Sequence, residues 1–355
     1  MKRWWVAGCL FLACASDPEP KATAPALHRP TEAAGLAEFP PTGPIELRPK
    51  STPADGTLYQ VLMTYEGRTE VTKEIKNAPE PDSLMEKLSV EIDYRAMPVV
   101  TPEAGELGQT LVLSALKRRQ RLMPPGKEHV LELGDDRLRT SLDDKVEIDL
   151  RGAQPKQDLT PRTLLDKPFA LVVTDELNNP KLISLRGPPP AHKLLASVPL
   201  RESLGYLLIA YPEKPVSPGD TWHGKRYFPN PIGKLGMAVD VEYRLVGFER
   251  VGEAPCAHVM MRAKVDDRDV PSESGFNFEE VHYQLEGDGW LDLATGEVVS
   301  SRMQDVAAVS YHHTATAIPT RARMRYEGRA GLERLDALPS STHWADGSKR
   351  FSAVK

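Results

Sequence analysis

Three cysteines, nine histidines and 50 acidic residues are the chain's raw material for chemistry. A histidine metal site needs several side chains converging on one point. His312 and His313 are neighbours in a strand-like run, and adjacent strand residues point to opposite faces, so the two do not share one ion. His282 could meet one of them across strands, but no third ligand can be placed. Asp266, Asp267 and Asp269, followed by Glu279 and Glu280, lack the alternating ligands and glycine of a calcium loop and read as a solvated loop. Cys256 lies in Ala254-Pro255-Cys256-Ala257-His258, the start of a strand, where it is expected to be a small buried hydrophobe. Gly-x-Ser-x-Gly, His-Glu-x-x-His and Cys-x-x-Cys are missing, and no glycine-rich loop opens a helix. The expectation is a non-enzyme with no catalytic residue, no metal and no cofactor.

The address comes from the N-terminus. Met1-Lys2-Arg3 is a short basic region, and Trp4 to Ala13 is a ten-residue apolar run. That pattern is a secretory signal, too short to cross a bilayer, which needs about 20 residues. The stretch Phe11-Leu12-Ala13-Cys14 resembles a bacterial lipobox, departing from it at Phe11, where leucine is commonest. The resemblance implies that Cys14 is acylated and becomes the mature N-terminus. Val6-Ala7-Gly8-Cys9 fits the lipobox consensus better but leaves five apolar residues before the cut, so Cys9 stands as the alternative. Ala15-Ser16 after Cys14 lacks the aspartate that retains lipoproteins at the inner membrane, which by analogy favours the outer membrane, facing the periplasm. Acyl chains contribute about 0.8 kcal/mol per buried methylene, so several on one cysteine hold firmly.

Net charge is −5, which provides no field toward nucleic acid. The one basic run, Lys117-Arg118-Arg119-Gln120-Arg121, reads as the solvated face of one element, with anionic headgroups or a partner as the alternative. Only Cys256 remains beyond the leader, so no internal disulfide can form.

The elements that position these residues are mostly strands. Residues 15–55 hold nine prolines and read as an extended tether without a core. From Thr57 the pattern turns to period two. Tyr59, Val61, Met63 and Tyr65 alternate with Gln60, Leu62 and Thr64; Leu88–Tyr94, Val146–Leu150 and Val239–Leu245 do the same with polar partners. Such alternation marks antiparallel sheet with one face on a core. Turns fall at Leu133-Gly134-Asp135-Asp136, Asn178-Asn179-Pro180 and Ala294-Thr295-Gly296-Glu297. Two helices are expected. One starts at Thr101-Pro102-Glu103 and carries Leu107, Leu111, Val112, Ala115 and Leu116, with a strand from Thr110 as the alternative. The other carries Leu200, Leu204, Leu207, Leu208 and Tyr211 and ends at Pro212.

The segment Pro212-Glu213-Lys214-Pro215-Val216-Ser217-Pro218-Gly219-Asp220-Thr221-Trp222 marks a boundary, with Asp220 as a turn residue and Trp222 as a packing anchor. With the lipobox, it resembles uncharacterised β-rich bacterial envelope lipoproteins, loosely from Thr57 to Asp336; the resemblance implies no activity. The fold class expected is mainly β, with antiparallel sheets in two related halves and one or two short helices between strands. The chain divides into a signal peptide (1–13), an acylated cysteine and tether (14–55), an N-terminal β-rich half with helices (56–212), a C-terminal β half (213–339) and a polar tail (340–355).

The functional expectation is a non-catalytic, lipid-anchored envelope protein that touches the membrane through its acyl anchor. Its curved sheets would bind a partner protein or an apolar ligand such as a lipid, and no nucleic acid. An envelope hydrolase with a non-local active site and a purely structural assembly lipoprotein are the rivals.

Overall fold

The computed structural model describes residues 39–49, 56–73, 82–98, 107–124, 126–134, 137–151, 165, 168–174, 183–186, 209–228, 237–271, 276–313 and 320–336. The leader, Cys9, Cys14 and the 340–355 tail lie outside the described residues. Everything below concerns the unit Glu32–Lys355.

Six strands come first: β1 (Thr57–Lys73), β2 (Asp82–Pro98), β3 (Leu107–Met123), β4 (Lys127–Leu133), β5 (Arg137–Leu142) and β6 (Lys145–Arg151). A hairpin follows, β7 (Pro168–Thr174) and β8 (Ile183–Arg186). The last six are β9 (Thr221–Phe228), β10 (Met237–Val251), β11 (Ala254–Pro271), β12 (Phe276–Asp292), β13 (Val298–His313) and β14 (Thr320–Leu335). Among the described residues all pairings are antiparallel, and the sheet runs β6-β5-β4-β3-β2-β1-β14-β13-β12-β11-β10-β9, with β7 on the early part of β3 and β8 on β7. Two six-stranded meanders therefore meet along β1 and β14, which pair from Leu58↔Leu335 to Lys73↔Thr320. Strands from both sides of the expected boundary at Pro212 share this one sheet.

Alternation explains why the strands form and which way they face. Along β14, Ala322, Met324, Tyr326, Ala330 and Leu332 are buried, while Arg321, Arg323, Arg325, Glu327, Arg329 and Glu333 are exposed. We call the first set's side inward and the second's outward. Cross-strand partners share a face, so the registers carry this division through the sheet. A bulge between Leu245 and Gly247 lets β10 keep Leu245 inward at 0% exposure while Val246 is expelled to 47%.

One end of the sheet is closed by two loop segments. Ile45 and Val216 exchange backbone hydrogen bonds of 2.9 Å, and Leu47 is buried. Part of the proline-rich segment is thus fixed to the body, because Ile45 and Leu47 give it two apolar anchors. Ile209 fills the hollow above Gly289, where any side chain would collide with its Cδ1. Gly296, at φ +75°, lets the β12–β13 turn pass against the Arg48 carbonyl. Trp222 donates from Nε1 to the Ala210 carbonyl (2.7 Å) and stacks on Tyr243 at 5.7 Å, as its expected anchoring role requires. Asp220 caps its own turn by accepting from the Ser217 amide at 2.7 Å.

Several expectations are corrected. No helix occurs among the described residues. Leu107 to Leu116 is β3, the strand alternative extended N-terminally, because it is held between β2 and β7 and sheet pairing overrides a helical spacing of leucines. Ile209, Ala210 and Tyr211 are not helical but a buried plug; the rest of that expected helix lies outside the described residues. Asp266, Asp267 and Glu280 are not in a loop: they lie in β11 and β12. The basic run is not one solvated face, because β3 sends its members to alternate sides.

Candidate functional site

That split run leads to the site. Register places Leu116 opposite Ile92, Arg118 opposite Val90, Gln120 opposite Leu88 and Leu122 opposite Glu86, all on the inward face. On the other flank Arg118 faces Leu131 and Gln120 faces His129. Lys117 and Arg119 point outward, where they approach Glu132 (3.9 Å) and Glu128 (3.8 Å). Period-two geometry alone turns Arg118 onto the apolar side.

The guanidinium of Arg118 donates from one terminal nitrogen to Gln120 Oε1, and the Gln120 amide donates to Glu86 Oε1. Arg118 Nε is buried and makes no hydrogen bond to the described residues. Burial pulls the Arg118 pKa down, and the nearby charge of Glu86 offsets part of that. Tyr65, from β1, stands beside this group; burial, then the charges of Glu86 and Asp305, push its hydroxyl up, so it remains a donor at neutral pH. The surrounding wall is Met63, Leu88, Leu122, Leu142 and Ile148, all half-buried, and Leu84 on the same face is exposed at 38%. Across β14 the inward face changes: Met324, Tyr326, Val309, Val281, Met261 and Tyr243 are exposed by 5% or less.

The outward face carries a groove of 710 Å³ over β12, β13, β14 and β1. Small residues, Ser300 and Gly331, make its floor, with Trp290 and Arg302 as a wall. Trp290 is held flat between His258, stacked at 4.9 Å, and the Arg302 guanidinium, 5.0 Å from the ring centre. His258 Nε2 meets Asp288 at 2.9 Å, and its Nδ1 lies 3.4 Å from Glu249. Glu249 also accepts from Trp290 Nε1. Both ring faces of Trp290 are thereby covered, so it serves as a fixed wall.

A third polar group sits at the closed end. Glu297, 4% exposed, accepts from Thr57 Oγ1 at 3.0 Å, and Tyr211 donates to the Gly296 carbonyl at 3.0 Å. Burial first, then the Glu297 charge, push the hydroxyls of Tyr59, Tyr94 and Tyr211 up. Asp292 takes Arg334 Nη1 at 2.9 Å and caps the turn at Ala294 (2.8 Å). This network fastens the loops to the sheet.

The residues singled out in the sequence fall as follows. Cys256 is fully buried near the start of β11, its thiol pushed up to about 11 by burial, which suits a packing role. His282 pairs with Asp266 (2.7 Å) and Glu280 (3.2 Å), not with His312, which lies opposite Asn277. Among the described residues no three His, Cys, Asp or Glu side chains gather as a metal site. Arg118, Gln120 and Glu86 were missed as a group. Their signal was present in Leu116-x-Arg118-x-Gln120-x-Leu122, a polar pair bracketed by leucines at strand spacing.

No protein-family model and no curated protein matches the chain. Among solved structures, one of lipovitellin, reported for its lipid–protein interactions, is similar over 84% of this chain, with 11% identity and a TM-score of 0.36. The match covers 27% of the lipovitellin chain, so this chain spans about a quarter of its length.

Proposed function

We propose that this chain is a non-catalytic, lipid-anchored protein of a bacterial envelope whose sheet holds an apolar ligand on its N-terminal inward wall. One observation carries the reading: half-buried apolar side chains gather on the inward face across the far ends of β1 to β6, at Met63, Leu88, Leu122, Leu142 and Ile148, whereas from β14 to β10 most inward side chains are buried and Phe248 and Val265 are half-buried. Apolar side chains left partly in water forgo roughly 25 cal/mol per Å² of burial, which a ligand recovers. Acylation at Cys14, or at Cys9, would hold this wall beside a source of such ligands. The apolar leader followed by cysteine supports the anchor. The missing nucleophile and zinc motifs support the absence of catalysis.

Native mass spectrometry of the full chain, released from detergent in the gas phase, tests both parts. The expected spectrum has an acylated N-terminal cysteine and a reproducible extra mass that extracts as lipid. An acylated chain without ligand sinks the wall reading, and an unacylated mature N-terminus sinks the anchor. The outward groove supports a second reading, a docking surface for a partner protein, since its side chains are already fixed before any partner arrives. Crosslinking from a photoreactive residue at Gln304, in the groove lining, tests it.

A further inference from the structure

We propose that the ligand is an amphiphile with an anionic head, a carboxylate or phosphate on an acyl or alkyl chain, and that Arg118 holds that head. This rests on the wall reading above and names its ligand class.

The argument starts from where Arg118 stands. Its cross-strand neighbours are Val90, 2% exposed, and Leu131, 6% exposed, and the next inward residue on its own strand is Leu116, 0% exposed. A guanidinium set among such residues loses hydration and needs anionic or hydrogen-bonding partners in return. Among the described residues its one hydrogen bond is to a neutral amide, Gln120 Oε1. Among the described residues no carboxylate pairs with it; Glu86 stops at the far side of Gln120. Nε remains a buried donor without an acceptor.

Arginine presents its donors as a planar fork that matches a carboxylate or phosphate with two parallel bonds. The Gln120 bond uses one terminal nitrogen and leaves the Nε donor over. Met63, Tyr65, Leu88 and Ile148 offer a chain its apolar surface on the same face. Gln120 and Glu86 orient the guanidinium without neutralising it by direct contact. Glu86 also opposes any anion through its charge, so it tunes affinity downward.

A hydrogen-bonded ion pair of this kind favours the charged head by about tenfold or more over a neutral one. The experiment is native mass spectrometry of the full chain with an equimolar mixture of palmitate, hexadecyl phosphate and hexadecanol. The expected result is at least roughly tenfold preference for the anions over the alcohol. Arg118→Met keeps hexadecanol binding and loses the preference; Glu86→Gln raises it. Whether palmitate or hexadecyl phosphate dominates distinguishes a fatty-acid ligand from a phospholipid-type one. Equal binding of anion and alcohol by the native chain overturns the proposal, as does an Arg118→Met chain that keeps its preference. Both of those results leave the wall reading standing, whereas no binding of any probe removes the wall reading as well. Retained hexadecanol binding by Arg118→Met shows that the variant is folded; if it does not fold, an unchanged preference in Glu86→Gln overturns the assignment.

Discussion

The two halves of the inward face are built by the same rule and end differently. In the C-terminal half, β9 to β14 put Tyr243, Leu245, Val259 and Met261 at 0% exposure, with Ile209 and Tyr211 packed onto their end. In the N-terminal half, the near ends of β1 and β2 are just as buried, at Val61 and Ile92, but the far ends carry Met63, Tyr65 and Leu88 half-buried and Arg118 among them. Both halves alternate and both are interrupted by register shifts, at Asp93/Tyr94 and Thr140/Ser141 in one and at Leu245/Gly247 in the other, so pattern does not separate them. The difference lies in how far each stretch is buried and in Arg118, a cation that, among the described residues, touches no carboxylate, whereas Arg334 in β14 is paired with Asp292 at 2.9 Å. A sheet can thus use one part of a single apolar face as a stability core and keep another part for a ligand.

The comparison can be broken in four places. Met261→Ala is expected to cost about 2–5 kcal/mol, since its surroundings are fully packed, while Leu88→Ala costs about 1 kcal/mol or less because water already reaches the site. Denaturant midpoints measure both, and equal losses would end the distinction between sealed and open wall. At the closed end, Thr57→Val removes the 3.0 Å donor to buried Glu297 and should cost about 1–3 kcal/mol. A loss within noise there would mean the loops are held by packing alone.

Arg118→Met sharpens the comparison in the other direction. A desolvated guanidinium with one neutral partner is replaced by an apolar side chain of similar length, so stability should hold or rise by about 1 kcal/mol. Marked destabilisation would make Arg118 a structural residue instead. The smallest effect belongs to the outward face. His282 has its pKa raised, first by the hydrogen bond to Asp266 and then by that to Glu280. Its contribution is therefore fully present below the unfolded value near 6.5 and is lost as pH rises through the higher folded value. A Tm series against pH should fall slightly across that window and flatten in His282→Gln; identical slopes would remove the pair from the stability account.

The amino-acid sequence by itself determined a good deal. Alternation in Tyr59–Tyr65, Leu88–Tyr94, Val146–Leu150 and Val239–Leu245 specified four strands and, apart from Val146, their faces; the register shift opposite Thr140 and Ser141 turns Val146 outward, where it is 44% exposed. Gly134 and the Ala294–Glu297 turn specified two hairpins, and Pro218-Gly219-Asp220-Thr221-Trp222 specified a turn and its anchor. These are local matters, settled by side chains two to four positions apart. The tertiary structure decided the rest. Leu107 to Leu116 has spacing that suits a helix, and only the company of β2 and β7 makes it a strand. Ile209 to Tyr211 became a plug because Gly289 leaves a hollow that nothing nearby in the chain announces. Arg118 looked like a surface charge among surface charges. Its meaning came from Val90 and Leu131, brought beside it by hydrogen-bonded register, and register joins residues far apart in sequence, where local pattern carries no information.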